Sequence, residues 1–347
     1  MKNVLILFGG CSPEYSVSLQ SAAGVIRNMD REKFTPVLVG ISEEGDWYHF
    51  SGSIDSIADG SWQADKSCAP AALTPSRGER NLLVFEGEQV KKIPVDTVFP
   101  VLHGQNGEDG TVQGLCELKG IPVVGCGMLS SALCMDKDRA HKLAKLAGIA
   151  VPRSFLLQQG FCPEEALNHA DSLGYPLFVK PVKAGSSYGV AKVSKRENLL
   201  PAVGAAFSYD DEVIVEEAVP GFEVGCAVMG NRELVTGEID EVELADGFFD
   251  FTEKYNLITS KIHVPARIPP EKSRKIKETA KTIYRALDCR GFARVDLFLT
   301  PSGEIVFNEV NTIPGFTAHS RFPSMMEAAG MPLKEVVTKA IELAVES

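Results

Sequence analysis

The sequence predicts an α/β fold in roughly its first third and α+β structure after that. An apolar run at residues 4–8 precedes an amphipathic segment at 15–29 and a second apolar run at 35–39, which is a β-α-β pattern. Strand and helix patterns keep alternating to about residue 135, and this predicts a mostly parallel sheet. After Pro152, short strand patterns separated by brief turns and helices take over. We therefore expect two kinds of sheet in one chain.

The remaining elements of the first part follow from turn residues and periodicity. A segment rich in Gly, Ser, Asp and Pro is expected to form loops with short irregular pieces, and it covers residues 43–80. The predicted strands are 96–104 and 121–125, and the predicted helices are 110–119 and 130–146. Gly148 is a plausible C-cap for the second of these helices.

The second part contains more strands than the first. Predicted strands cover 176–181, 188–193, 212–217, 222–230, 291–300 and 304–310, and predicted helices cover 163–173, 195–207 and 270–287. The last two strands are joined by Pro301, Ser302 and Gly303, a short turn that predicts an antiparallel hairpin.

Composition excludes several classes of function. The 347 residues include 35 Lys and Arg against 46 Asp and Glu, a formal net charge of −11. Such a balance disfavours nucleic acid and anionic membrane surfaces as partners. No apolar run is long enough for a membrane-spanning helix or a signal peptide, so a cytoplasmic protein is expected. The 8 cysteines are scattered without a CxxC pair, which favours buried thiols over disulfides or zinc.

The C-terminal hairpin carries the strongest cluster of chemical groups. Residues two apart on a strand share a face, so Arg294 and Asp296 on one strand can meet Glu309 and Asn311 on the next. Oxygen side chains converging in this way suit Mg²⁺ with substrate phosphates. Cross-strand ion pairs on a solvated face fit the spacing equally well. The loop at 312–321 leaves directly from this cluster, and its glycine at 315 allows a ligand close to the backbone.

A second candidate site is the small-residue loop at 180–189, which begins with a lysine at the end of a strand. Free backbone amides and a lysine can hold phosphate oxygens, although a flexible hairpin connection explains the loop as well. The sequence has neither GxxxxGK[ST] nor GxGxxG. Their absence argues against a P-loop enzyme and a nicotinamide-dependent dehydrogenase.

Two polar loops of the N-terminal sheet are expected at one edge. The turn at 9–14 places Glu14 there, and the segment LHGQNGEDG at 102–110 places His103 there. Ligands bind outside the carboxyl ends of strands in open α/β sheets. A single histidine is more often structural than catalytic. The aromatic segment at 247–257 is either a packed surface loop or an active-site cover.

As an ordered set, these motifs resemble the D-alanine–D-alanine ligase family of the ATP-grasp superfamily over essentially the whole chain. The set comprises GG-S-PE, LHGQNGEDG, MDKDRAHK, KP-KAGSS-GV, EE, EKY, RVD and NEVNTIPGFT. The resemblance implies an ATP-grasp fold with an N-terminal α/β domain at 1–135, a central domain at 136–220 and a C-terminal domain at 221–347 with a cover at about 247–260. It also implies ligation through an acyl phosphate, two Mg²⁺ ions for which Mn²⁺ can substitute, and a homodimer.

The resemblance also implies roles for individual residues. Those placed at ATP are Lys137, Lys180, Glu216, Glu217, Ala218, Val219, Glu223, Phe248 and Lys254. Those placed at magnesium are Asp296, Glu309 and Asn311. Those placed at the reacting groups are Glu14, Ser186, Tyr255, Arg294 and Gly315, and those placed at the substrates are His103, Asp250, Ser320 and Arg321.

One position bears on the second substrate. Where D-alanine-adding members of the family have an apolar residue after His319 and Ser320, this chain has Arg321. An arginine there resembles the vancomycin-resistance ligases that add D-serine or D-lactate, and the retained Tyr255 favours D-serine. An arginine held by Asp250 could donate to a substrate hydroxyl, which an apolar pocket discriminates poorly. We therefore expect synthesis of D-alanyl-D-serine, a peptidoglycan precursor, with D-alanyl-D-alanine as the alternative. A catalytically inactive nucleotide-binding module is disfavoured because the metal and oxyanion residues are all retained.

Overall fold

The structure is a computed structural model that describes residues 1–185, 188–243 and 261–346. The described residues form three β-sheets, each built from a different stretch of the chain. Helices cover these sheets, and the candidate site residues lie on strands of the central and C-terminal sheets, at the starts of two helices and in adjoining loops.

The N-terminal sheet has the strand order β6-β5-β4-β3-β2-β1-β7. Its strands are β1 (Lys2–Gly9), β2 (Phe34–Ile41), β3 (Trp47–Phe50), β4 (Ala69–Ala72), β5 (Asn81–Glu86), β6 (Gln89–Pro94) and β7 (Thr97–Pro100). Strand β1 pairs in parallel with β2 and β7, so the β-α-β start is confirmed.

The expectation of a mostly parallel sheet is wrong beyond those three strands. From β2 to β6 every pairing is antiparallel. The segment at 43–80 contains β3 and β4 as well as loops, because short strands interrupted by Gly, Ser and Pro leave little alternation to detect. The predicted strand at 121–125 is reduced to a single bridge between Val98 and Val123.

The central sheet is antiparallel and has the order β10-β9-β11-β8. Its strands are β8 (Ser154–Gln158), β9 (Leu177–Pro181), β10 (Ala191–Val193) and β11 (Glu212–Glu217). The C-terminal sheet has the order β15-β14-β12-β16-β17, with β13 paired to β12. Its strands are β12 (Phe222–Met229), β13 (Val235–Thr236), β14 (Asp240–Glu243), β15 (Lys261–His263), β16 (Phe292–Leu299) and β17 (Ile305–Asn311).

The helices flank these sheets. They are α1 (Tyr15–Asn28), α2 (Ile54–Ala58), α3 (Thr111–Lys119), α4 (Met128–Met135), α5 (Lys137–Leu146), α6 (Pro163–Leu173), α7 (Leu199–Ala206), α8 (Pro270–Ala286), α9 (Arg321–Ala328) and α10 (Leu333–Val345), with short 3₁₀ helices at Ser61–Ala64 and Arg196–Asn198. The long predicted helix at 130–146 is two helices, because Asp136 leaves the helical conformation and caps α5 by accepting a hydrogen bond from the Arg139 amide.

The apolar cores do not follow the order of the sequence. One core joins β1 and α1 to residues of the C-terminal stretch, among them Phe316, Phe322 and Val336. The core of the central sheet is separate and draws its buried members from residues 157–215. The domain boundaries at 135 and 220 stay a prediction. Within the described residues, no helix combines the length and the apolar character needed to cross a membrane.

Candidate active site

The C-terminal hairpin brings the four predicted polar residues onto one face. In the β16–β17 register, Asp296 lies opposite Glu309 and Arg294 lies opposite Asn311. The alternating residues of β16, including Val295 and Leu297, point into the core on the other side. A bulge after Asp296 shifts the register, so the ladder passes over Asn308.

Asp296 is the centre of this cluster. Its side chain is buried and accepts hydrogen bonds from Arg294 Nε at 2.8 Å, from Arg294 Nη2 at 2.7 Å and from Asn311 Nδ2 at 2.9 Å. Burial lowers the pKa of Arg294, but the Asp296 carboxylate outweighs it and the net shift is upward. The guanidinium therefore stays charged, as a group that stabilises an oxyanion must.

Arg321, the first residue of α9, is also buried and lies beside Asp296. Its Nε donates to Asp240 Oδ2 at 2.6 Å, its Nη2 donates to Asp240 Oδ1 at 2.9 Å, and its Nη1 donates to Glu223 Oε1 at 2.6 Å. Nη2 is also 3.5 Å from Asp296 Oδ1. These carboxylates raise the pKa of Arg321 against the opposing effect of burial. The guanidinium is therefore a buried counter-ion to three acids.

Sequence reasoning missed Asp240. It is fully buried, and it also accepts a hydrogen bond from the Gly225 amide at 2.7 Å. A Cβ at residue 225 would come within 2.6 Å of both Asp240 Oδ1 and Arg321 Nη2, so the glycine makes room for the pair. The only sequence signal was an acid inside a short strand pattern. Glu223, which the resemblance places at ATP, contacts Arg321 here.

On the central sheet, Lys180 and Glu216 lie on neighbouring strands and form an ion pair of 2.7 Å. Burial opposes both charges, yet each partner holds the other ionised: the pKa of Lys180 is raised and that of Glu216 is lowered. His141 Nε2 donates to the Asn308 carbonyl at 2.7 Å. Among the described residues, His141 Nδ1 and Glu216 Oε1 are buried without a hydrogen-bond partner, and they lie 3.6 Å apart. Such orphaned atoms fit a site that a polar ligand completes.

Lys137 begins α5 and reaches the same space from the other side. Its Nζ donates to the Ala184 carbonyl at 2.8 Å and is 4.0 Å from Glu309 Oε2. Lys180 Nζ is 3.5 Å from Asn308 Oδ1. Both lysines therefore approach the strand that carries Glu309, which is an arrangement suited to phosphate oxygens.

The strand-end segment at 217–219 is held by hydrogen bonds to Arg153 and Pro176. Glu217 accepts hydrogen bonds from Arg153 N at 2.8 Å and Arg153 Nε at 2.7 Å, on the opposite face from Glu216. Ala218 N donates to the Pro176 carbonyl at 3.2 Å, and Val219 is partly buried.

Glu14 and His103 lie together at the edge of the N-terminal sheet, as predicted. Ser12 Oγ links them, because it donates to the His103 carbonyl at 2.6 Å and accepts from Glu14 N at 3.2 Å. His103 Nε2 is 3.1 Å from Ser21 Oγ. Burial lowers the pKa of His103, so the imidazole is neutral at pH 7.

Gly315 lies in the loop between β17 and α9, between hydrogen-bonded neighbours. A Cβ at this position would be 2.7 Å from Ser320 Oγ, so no larger residue fits without a shift. Ser320 Oγ accepts from Thr317 N at 3.1 Å, and Ser21 Oγ accepts from Phe316 N at 3.2 Å. Ser320 therefore supports the loop in this structure.

Five of the predicted site residues lie outside the described residues. They are Ser186, Phe248, Asp250, Lys254 and Tyr255. The expected cover at 247–260 also lies outside the described part of the chain.

Two protein-family models match the chain. The model described as D-ala D-ala ligase N-terminus covers residues 3–126, and that described as D-ala D-ala ligase C-terminus covers residues 143–342. The chain belongs to the D-alanine–D-alanine ligase family. It is therefore an ATP-dependent carboxylate–amine ligase, and the predicted family, enzyme class and ATP-grasp fold are confirmed.

Individual relatives are similar over nearly their full lengths. The solved structure of the VanG D-Ala:D-Ser ligase from Enterococcus faecalis has a TM-score of 0.92 and 53% identity, and the match covers 99% of each chain. The vancomycin B-type resistance protein VanB of Enterococcus faecalis is 46% identical over 99% of this chain and 98% of its own. The vancomycin C-type resistance protein VanC1 of Enterococcus gallinarum is 44% identical over 100% and 99%.

The ligase family uses ATP with a divalent metal, and the donor set here fits that chemistry. Among the described residues, no three His, Cys, Asp or Glu side chains converge as a metal site. Asp296 and Glu309 instead supply two carboxylates and Asn311 an amide, from adjacent positions on paired strands. One or two carboxylates that leave further positions to substrate phosphates are what Mg²⁺ favours.

Proposed function

We propose that this ligase joins D-alanine to D-serine by way of D-alanyl phosphate, producing a peptidoglycan precursor dipeptide. The observation that carries the choice of D-serine is the buried guanidinium of Arg321, directly beyond the loop of Gly315. In members of the family that add D-alanine, an apolar residue is expected at this position. The similarity to the VanG D-Ala:D-Ser ligase supports the same choice.

In the first step, a carboxylate oxygen of D-alanine attacks the γ-phosphorus of ATP, and the bond to the bridging oxygen breaks to release ADP. This transfer needs alignment and neutralised charge on the γ-phosphoryl oxygens. Lys137 and Lys180 would supply positive charge to the ATP phosphates, and Glu216 keeps Lys180 ionised. Glu216 Oε1 and the backbone at 217–219 would receive the adenine, Phe248 would pack on the base and Glu223 would hold the ribose.

Asp296, Glu309 and Asn311 would hold two Mg²⁺ ions. When bound, these ions neutralise charge on the phosphates. The two carboxylates and the amide lie side by side across β16 and β17, which keeps their oxygens at one end of the hairpin.

In the second step, the amine of D-serine attacks the carbonyl carbon of D-alanyl phosphate. The developing oxyanion needs fixed donors, and phosphate then leaves with the oxygen that D-alanine contributed. Asp296 accepts hydrogen bonds from Nε and Nη2 of Arg294, so Nη1 would donate to the substrate oxygen together with the amide of Gly315.

The first D-alanine would bind at the edge that holds Glu14. We assign its ammonium to the Glu14 carboxylate, with neutral His103 close by. Ser186 and Tyr255 would link Glu14 to the cover, and Lys254 of the cover would reach ATP. Water has to be kept from an acyl phosphate, which is the reason a cover is needed.

Arg321 would act on the second substrate together with its acids. Because Asp240 and Glu223 accept hydrogen bonds from Arg321, the guanidinium and the two carboxylates would together form one polar surface of the second-substrate pocket. These three hydrogen bonds use three of the five N–H donors of the guanidinium, and the other two would donate to a substrate hydroxymethyl group but not to a methyl group. Ser320 would contribute through the same loop, and Asp250 stays in the proposal as a further acid beside Asp240, Glu223 and Asp296.

The test compares kcat/KM for D-serine, D-alanine and D-lactate as second substrates, with products identified by mass. Arg321→Leu alone leaves the buried carboxylate of Asp240 without its cationic partner. The Asp240→Asn/Arg321→Leu double variant is therefore measured beside it. We expect the D-serine to D-alanine ratio to fall at least about tenfold. Arg196→Leu, which breaks the exposed pair with Asp171, is the control.

An unchanged ratio in the double variant would contradict the role of Arg321. A wild-type enzyme that uses D-alanine best would favour the alternative, a D-alanine–D-alanine ligase of housekeeping type, which the family description also fits. We also propose the domain boundaries at 135 and 220 and a homodimer.

A further inference from the structure

Glu108 joins two distant segments of the chain, although no role was expected for it. Its Oε2 accepts a hydrogen bond from Gly104 N at 2.9 Å, and its Oε1 accepts one from Ile313 N at 3.0 Å. The first amide belongs to the loop after β7, next to His103. The second belongs to the loop that leads from β17 to Gly315. One carboxyl group therefore connects the first-substrate edge, which is the edge of the N-terminal sheet with Glu14 and His103, to the loop of the predicted oxyanion donor Gly315.

A second carboxyl group, that of Glu14, lies close to Glu108. A Cβ at residue 104 would lie 2.6 Å from Glu14 Oε2, so the carboxyl groups of Glu14 and Glu108 flank the same glycine. The charged groups that face Glu108 are Glu14 and, with opposite sign, Arg294. Burial first and Glu14 second raise the pKa of Glu108 to about 8, against the two amides and Arg294. The protonated group still accepts both amides.

Gly315 is held by an anchor on each side. Ile313 N donates to Glu108, and Phe316 N donates to Ser21 Oγ at 3.2 Å. Ser21 Oγ also contacts His103 Nε2, so both anchors lead back to the first-substrate edge. Without the Glu108 carboxyl group, the segment around Gly315 would keep only the hydrogen bond from Phe316 N to Ser21 Oγ of these two.

We propose that Glu108 is a positioning residue that holds the Gly315 amide against the carboxyl group of the first substrate. This inference rests on the proposed ligation through an acyl phosphate. A displaced oxyanion donor weakens the tetrahedral transition state of amine attack more than it weakens phosphoryl transfer, because the oxyanion forms only in the second step. Glu108 variants should therefore uncouple the two steps.

The experiment measures two quantities in Glu108→Ala and Glu108→Gln: ADP formed in a single turnover with D-alanine alone, and dipeptide formed per ADP when the second amino acid is added. In Glu108→Ala we expect ADP formation within about threefold of wild type and dipeptide per ADP lower by roughly 10- to 100-fold. Glu108→Gln should fall between, because its amide keeps one acceptor.

Asp109→Ala is the matched control. Its carboxylate accepts from Asn106 N at 2.7 Å and Thr111 N at 3.0 Å, so it supports the same loop without reaching Ile313. We expect the control to keep wild-type coupling.

A wild-type yield of dipeptide per ADP in Glu108→Ala would overturn the inference. The inference would also fail if Glu108→Ala and Asp109→Ala both lost ADP formation and dipeptide formation to the same extent. If circular dichroism shows that Glu108→Ala is unfolded, the same criteria apply to Glu108→Gln. Absence of D-alanine-dependent ADP formation in the wild-type enzyme would contradict the ligation scheme itself, which is a separate result.

Discussion

The central sheet packs on its own helices, whereas the N-terminal sheet shares its core with the C-terminal stretch. The shared core contains Phe8 and Phe99 beside Phe316 and Phe322. The central sheet instead reaches the C-terminal sheet through polar groups of the candidate site, such as Lys180 beside Asn308. The groups assigned to the first substrate and the oxyanion thus belong to one packed unit, and Lys180 is presented by another.

This difference gives the two units separate tasks. Glu14, Glu108 and Gly315 are fixed relative to each other by shared packing and hydrogen bonds, so the acyl group can be positioned before the nucleotide arrives. The lysine of the central sheet approaches the C-terminal sheet through a hydrogen bond to Asn308, which a bound polyphosphate can replace. The predictions below test this division.

The largest effect is expected in the shared core. Phe316→Ala removes a fully buried ring that packs on Phe99, Phe292 and Phe322, at a cost of about 3–5 kcal/mol in the free energy of unfolding. Urea denaturation measures it through the fluorescence of Trp62, which is buried in the same core, in a Trp47→Phe background because Trp47 is the other tryptophan of the chain.

Phe161→Ala is the matched change in the central unit, where the ring stacks on Phe207 and is only partly buried. We expect a smaller loss, with lower hydrogen-exchange protection confined to about residues 154–217. Equal shifts of the Trp62 transition in both variants would show that the two cores unfold as one.

The next effect concerns the lysine of the central unit. Lys180→Met should lower D-alanine-dependent ADP formation by roughly 100-fold or more, because a positive charge at the ATP phosphates is lost. Lys183→Met is the control, since that lysine lies on the same loop but pairs with Asp210 and Glu212. Similar rates in the two variants would remove Lys180 from the phosphate site. Circular dichroism checks folding, because Glu216 loses its partner.

The last effect is a pH dependence of opposite sign in the two units, of at most about 1.4 kcal/mol for each pH unit. The pKa of Glu108 is raised from 4.5 to about 8, so its contribution to stability is complete below pH 4.5 and is lost as the pH rises to 8. The pKa of Glu216 is lowered from 4.5, so its contribution is present above that value and is lost as the pH falls below it.

Urea denaturation at a series of pH values on both sides of neutrality separates the two groups. Between about pH 5 and 8, wild type should lose stability relative to Glu108→Gln with a slope of at most about 1.4 kcal/mol per pH unit. The free energy of unfolding of Glu216→Gln should differ from that of wild type in its pH dependence only below about pH 4.5. Parallel curves for wild type and Glu108→Gln would contradict the raised pKa.

The sequence predicted the hairpin best, because period-two alternation in β16 and β17 determines which side chains share a face. Arg294, Asp296, Glu309 and Asn311 lie as that alternation requires. The antiparallel extension of the N-terminal sheet was missed, since strands as short as β3 and β4 carry little periodicity.

The partners of Arg321 could not be predicted from spacing. Asp240 is 81 residues away, and the pair forms only because α9 packs across β12 and β14 at Gly225. Glu108 was visible in the LHGQNGEDG motif, but its contact with Ile313 joins loops 205 residues apart. Contacts of this kind depend on the tertiary arrangement and leave no local signal.

The most direct test of the proposed chemistry follows oxygen from D-alanine. With D-alanine labelled by ¹⁸O in its carboxylate and D-serine as acceptor, mass spectrometry of the released phosphate reports whether an acyl phosphate forms. Attack by the carboxylate on the γ-phosphorus predicts one ¹⁸O atom in each phosphate, together with D-alanyl-D-serine. Unlabelled phosphate released along with the dipeptide would contradict phosphorylation of the D-alanine carboxylate.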